Sequence, residues 1–86
     1  MGRIACVLHV TDQGGRPLAG MMLVVEQASA PVPEMAYVTD DAGGARLGLP
    51  PGPAVIRFFR GDYSRRVTLT IEDAPDRTYE VVLDDA

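Results

Sequence analysis

The run from Val38 to Gly52, VTDDAGGARLGLPPG, constrains the fold of this chain more than any other stretch. It holds the close of an apolar run, an acidic-glycine turn, a short alternating strand and a proline-glycine corner. Asp40 and Asp41 supply side-chain acceptors, and Gly43 and Gly44 supply left-handed backbone freedom, which together suit a hairpin turn. Ala45, Leu47 and Leu49 alternate with Arg46 and Gly48, the period-two signature of a half-buried strand. Pro51 presets φ for the second position of a turn, and Gly52 tolerates positive φ at the third. Such units build β-sheet.

The same grammar runs through the whole chain. Strands are expected over Ile4–Val10, Met21–Gln27, Ala36–Thr39, Ala45–Leu49, Ala54–Arg60, Arg65–Glu72 and Thr78–Leu83. Between them stand turn clusters such as Asp12-Gln13-Gly14-Gly15, Gly61-Asp62 and Asp73-Ala74-Pro75-Asp76. Pro31 and Pro33 make Ala28–Glu34 a loop, because proline is kept out of central ladders. No window carries a helical period of adequate length. Strands at this spacing in 86 residues predict one domain, residues 1–86, built as a sandwich of two antiparallel sheets. A chain of this size buries roughly 60–65% of its unfolded surface, enough for one core. Alternation assigns that core to Ile4, Cys6, Leu8, Val10, Leu23, Val25, Leu47, Leu49, Ile56, Phe58, Val67, Leu69, Ile71, Val81 and Leu83.

Composition excludes several kinds of chemistry. The net charge of −4 argues against a nucleic-acid backbone as partner. With no lysine in the chain there is no Schiff base, no P-loop lysine and no lysine-derived cross-link. With no asparagine there is no N-glycosylation sequon. Cys6 is the lone cysteine and has no internal disulfide partner, as in a reducing compartment. The opening MGRIACVLHV breaks at Thr11-Asp12, which fits neither a secretory core nor a membrane span, so a cytoplasmic location with no membrane contact is expected.

Catalysis finds little to work with. His9 is the only histidine, and it stands three positions from Cys6 on one strand, so their side chains point to opposite faces. No catalytic residue, cofactor or metal site is expected. Asp40 and Asp41 lack the alternating oxygen ligands and downstream glutamate of a calcium loop, and read as turn formers. The cluster Arg57, Phe58, Phe59, Arg60, Tyr63, Arg65, Arg66 mixes cations with aromatics, a pattern compatible with a solvated strand face or with binding.

The series TDQGGRPLAGMMLVVE, TDDAGGARLGLPPG, VIRFFRGDYSRRVTLTI and EVVLDD, spanning Val10 to Asp84, resembles the carboxypeptidase regulatory-like domain. That family belongs to the prealbumin, or transthyretin-like, group. The resemblance implies a seven-stranded antiparallel Greek-key β-sandwich. It also implies a non-catalytic module that assists the folding, docking or presentation of a partner. Ala45, where the family usually has a larger apolar residue, and Pro53, which lacks a turn N–H, depart from the pattern. Two relatives of similar architecture do not fit. Transthyretin-like ureide hydrolases use several histidines and a different C-terminal tail, whereas this chain ends in Leu83-Asp84-Asp85-Ala86. Isopeptide-locked adhesin domains need a lysine.

The expectation is therefore an adaptor or accessory module with a protein partner or a second copy of itself, and no nucleic acid. The alternative from another class is a β-sandwich that binds a small ligand, a glycan or calcium. If Leu23, Val25, Ile56 and Phe58 face inward, then Met22, Val24, Val55, Arg57 and Phe59 face outward and are the candidate partner-binding residues. The Ala28–Glu34 loop could instead cover them.

Overall fold

The computed structural model describes residues 2–86. They form seven strands and, among the described residues, no helix: β1 Ile4–Asp12, β2 Met22–Gln27, β3 Tyr37–Val38, β4 Gly44–Leu49, β5 Gly52–Arg60, β6 Tyr63–Ile71 and β7 Arg77–Leu83. The strands make two sheets, one ordered β4-β1-β7 and the other β3-β2-β5-β6. Every expected strand is present, with ends shifted by a few residues. The expected third strand shrinks most, to Tyr37 and Val38.

Local chemistry explains the hairpins. β5 and β6 pair without a register break from Gly52↔Ile71 to Arg60↔Tyr63. The connection is Gly61-Asp62, where Gly61 takes φ of 58° and Asp62 keeps a negative φ. That combination suits a type II′ turn, whose twist matches the strands it joins. β2 pairs with β5 through Met22↔Phe59, Leu23↔Phe58, Val24↔Arg57 and Val25↔Ile56, then slips so that Gln27 meets Val55. Glu26 is the extra residue of this bulge.

One pairing departs from the expected antiparallel arrangement. β7 runs parallel to β1, with Cys6 opposite Arg77 and Asp12 opposite Leu83. The β5–β6 hairpin returns the chain to the end of the sandwich where β1 begins. Residues 72–76 then cross to the other sheet, and the Asp76 amide donates to the Ala5 carbonyl at 2.8 Å. From there the last strand can only follow the direction of β1. The three-stranded sheet is therefore mixed, since β4 pairs antiparallel on the other side of β1.

The core lies between the sheets. Leu8, Val10, Met21, Leu23, Leu49, Ile56 and Phe58 have no exposed surface. Three residues assigned to the core by alternation, Ile4, Val67 and Leu69, are only half-buried. Ile4 opens its strand, and β6 is the edge of its sheet, so these side chains have neighbours on one flank only. Leu18, Met21, Ala45 and Ala54 join the core in addition. Leu18 comes from the connection into β2, which strand periodicity does not read, whereas Met21 keeps the inward phase of Leu23 and Val25 just ahead of β2. No described helix is long and apolar enough to cross a membrane.

Candidate functional site

The outward residues of β2 and β5 become direct neighbours through the pairing just described. Val38, Met22, Phe59 and Ser64 form one row across the four strands of the larger sheet. Val24, Arg57 and Arg66 form the next row, and Val55 lies opposite Thr68 in the third. All five candidate partner-binding residues, Met22, Val24, Val55, Arg57 and Phe59, thus share one face. Val38 belongs with them and is 57% exposed, while Met22 is 36% exposed. Alternation along the sequence missed Val38 because a strand of two residues is too short to show a period. Its cross-strand partner, Met22, is what assigns it to the outer face.

The rest of the face is charged and internally paired. Arg66 Nε donates to Glu26 Oε1 at 2.6 Å. Arg57 Nε lies 3.2 Å from the other carboxylate oxygen, within ion-pair range. The approach is misaligned, so this buried N–H has no hydrogen-bond partner. The Arg57 guanidinium also sits 4.9 Å above the Phe59 ring, a cation–π distance. The Arg66 hydrogen bond, reinforced by the charges of Arg66 and Arg57, holds the Glu26 carboxyl below the usual glutamate range. Glu26 keeps the outward phase of Met22 and Val24, and the β5–β6 register sets Arg57 opposite Arg66 within its reach. Met22, Val38 and Phe59 thereby make an apolar strip, bordered by a salt-bridged strip.

The Ala28–Glu34 loop flanks this face without closing it. Ala28 and Val32 pack against the core. An open groove of about 900 Å³ runs between the loop and the sheet, lined by Val24, Glu26, Arg57, Pro31, Val32 and Glu34 among others. Met22 and Phe59 lie outside it. Ser29 anchors the loop by donating to the Pro51 carbonyl at 2.6 Å.

The other candidates disperse. Cys6 is buried, donates to the Leu47 carbonyl at 3.3 Å, and has its thiol pKa pushed up by burial. His9 lies on the opposite face of the same strand, with Nδ1 2.7 Å from Glu80 Oε1. The cation-aromatic cluster does not form one patch. Phe58 is core, Arg60 donates to the Ala19 carbonyl at 2.7 Å, and Arg65 pairs with Asp84 at 3.0 Å. Tyr63 donates to the Asp84 carbonyl at 2.7 Å, and burial pushes its hydroxyl pKa up. The Asp40 carboxylate accepts from the amides of Ala42 and Gly44. No group of three or more His, Cys, Asp or Glu side chains suited to a metal occurs among the described residues.

No family model matches this sequence. No curated protein matches it either. Among solved structures, the Bacillus anthracis TIE protein is similar in fold, with a TM-score of 0.60 at 15% identity. The match covers 96% of this chain and 16% of that one. At this identity the likeness is one of fold alone.

Proposed function

We propose that this chain is a non-catalytic protein-interaction module of the carboxypeptidase regulatory-like type, a prealbumin-like Greek-key sandwich that docks a separate polypeptide. The observation that carries the reading is the row Val38, Met22, Phe59 on the outer face of the larger sheet. Three large apolar side chains side by side on a solvent face are a feature of interfaces more than of free surfaces. Phe59 is half-buried in the free chain, and the ring surface that remains open is what a partner would cover. Its ring is held in place by Arg57, so little side-chain freedom would be lost on binding. The neighbouring arginines are ion-paired with Glu26, which makes a polar rim beside the apolar row. A like fold that makes up 16% of the Bacillus anthracis TIE protein supports reading this unit as one that works beside other domains. The separation of Cys6 and His9 onto opposite faces supports a role without turnover.

Affinity capture with the wild-type chain and with Phe59→Asp tests the reading. The variant should retain its far-UV signature and its melting transition, and lose the proteins that the wild type retains. An unchanged set of retained proteins would move the interface elsewhere. Unfolding of the variant would mean that Phe59 serves the core instead of the surface.

A further inference from the structure

We propose that two copies of this chain associate through β6, edge to edge and antiparallel, to make one continuous eight-stranded sheet from their two four-stranded sheets. This inference stands apart from the docking face, which the association would leave open and duplicate.

Four strands end sheets here, and β6 is the longest and most regular of them. β3 is two residues long. β4 has six residues, two of them glycine, and runs into Pro50 and Pro51. β7 can pair over its full length with a copy of itself only by setting Glu80 opposite Glu80, a like-charge contact. β6 has nine residues, no proline, no glycine and no bulge, and is paired with β5 throughout. A long, regular edge is a template for another strand, and its two charges, Arg65 and Arg66, are both tied into ion pairs within the chain.

The register follows from the turn. Arg60 and Tyr63 close a two-residue turn and so form a hydrogen-bonded pair. Alternation then commits Arg65, Val67, Leu69 and Ile71 to β5, and leaves the N–H and C=O groups of Ser64, Arg66, Thr68 and Thr70 on the free side. A two-fold axis through Val67 sets Ser64 against Thr70 of the second copy, and Arg66 against Thr68. Every residue with free backbone groups meets another such residue. Each pair exchanges two bonds, about eight in all. No like charges stand directly opposite each other in this register. Arg66 is already held by Glu26, and Arg65 folds back on Asp84 at 3.0 Å, clear of the incoming strand. On the inner face, Val67 meets Val67 and Leu69 meets the stem of Arg65. Val67 and Leu69 are the half-buried residues that the edge leaves partly uncovered, although their β5 partners Ile56 and Ala54 are fully covered. A second copy completes their burial.

Sedimentation equilibrium from micromolar to millimolar chain, with two variants, tests the proposal. The wild type should show a monomer–dimer equilibrium. Thr68→Pro removes an N–H that points to the free side, where an edge strand tolerates proline. It should stay folded and shift the dissociation constant at least tenfold towards monomer. Val67→Cys places one thiol of each copy in directly opposed, non-hydrogen-bonded positions, within reach of a disulfide. It should form a covalent dimer on mild oxidation, and it decides the matter if Thr68→Pro does not fold. A wild type that is monomeric at millimolar concentration would overturn the proposal. So would a folded Thr68→Pro that dimerises as the wild type does, or a dimer that Val67→Cys does not cross-link. Phe59→Asp should leave the dimer intact, so failure here and failure of the docking face are read separately.

Discussion

Asp12 and Asp40 perform the same task at two equivalent turns. Each carboxylate accepts from the amides two and four residues ahead: Gly14 and Arg16 for Asp12, Ala42 and Gly44 for Asp40. In each turn the residue three ahead, Gly15 or Gly43, adopts positive φ, and the preceding threonine is buried. The repeated Thr-Asp followed by glycine is thus a backbone device. In both turns the two amides converge on one carboxylate oxygen, Oδ1.

Gly43 is the least replaceable residue of these turns. Its φ is +78°, and a Cβ there would overlap the Val10 carbonyl oxygen. That oxygen also accepts from the Leu18 amide, so it cannot move freely. Gly43→Ala should cost at least about 2 kcal/mol, combining left-handed strain with the clash. Gly61→Ala, with similar φ but open space around it, should cost about 1–2 kcal/mol. Urea midpoints of the two variants should fall in that order.

Thr39 ties the entrance of β2 to the turn. Its hydroxyl donates to the Leu18 carbonyl at 2.5 Å and accepts from the Met21 amide at 2.9 Å. Thr39→Val keeps the shape and strands both backbone groups, at a cost of about 1–3 kcal/mol. Thr39→Ser should recover most of the loss in thermal or chemical unfolding. A Thr39→Val variant as stable as the wild type, beside a destabilised Thr39→Ser, would show that the methyl group, not the hydroxyl, matters.

Glu26 should make the domain acid-sensitive. Its carboxyl is held low chiefly by the hydrogen bond from Arg66. A depressed folded-state pKa stabilises the fold above the unfolded value, about 4.3, and that contribution disappears as the pH falls through the folded value. Glu26→Gln should therefore be less stable than wild type at neutral pH, and the difference should narrow as the pH falls below the unfolded value of about 4.3. Urea midpoints at pH 7 and pH 3 check this. A gap that persists unchanged in acid would assign the effect to something other than the carboxylate charge.

Ile56 and Leu69 test the distinction between interior and edge. Ile56 has no exposed surface, and Ile56→Ala should cost about 2–5 kcal/mol. Leu69 faces the same way on the neighbouring edge strand but is half-buried. Leu69→Ala should cost about 1–2 kcal/mol in the monomer. Equal losses in dilute unfolding experiments would contradict the one-sided environment of β6.

What the sequence determined by itself is local. Strand positions, the Asp-Gly turns, the Gly61-Asp62 connection and the inward set Leu23, Val25, Ile56 and Phe58 all follow from side-chain period and turn chemistry within a few residues. The outward set Met22, Val24, Val55, Arg57 and Phe59 follows from the same alternation. Only the tertiary structure decided which strands neighbour one another and in which direction. It turned β7 parallel to β1, brought Val38 beside Met22, and left β6 at an edge where Val67 and Leu69 lack a second neighbour. It also set Arg57 opposite Arg66 across β5 and β6, beside Glu26, and dispersed the rest of the arginine-aromatic run. The reason is physical. Period two records which face a residue takes within its own strand, whereas pairing order, direction and edges depend on contacts between segments far apart in the chain.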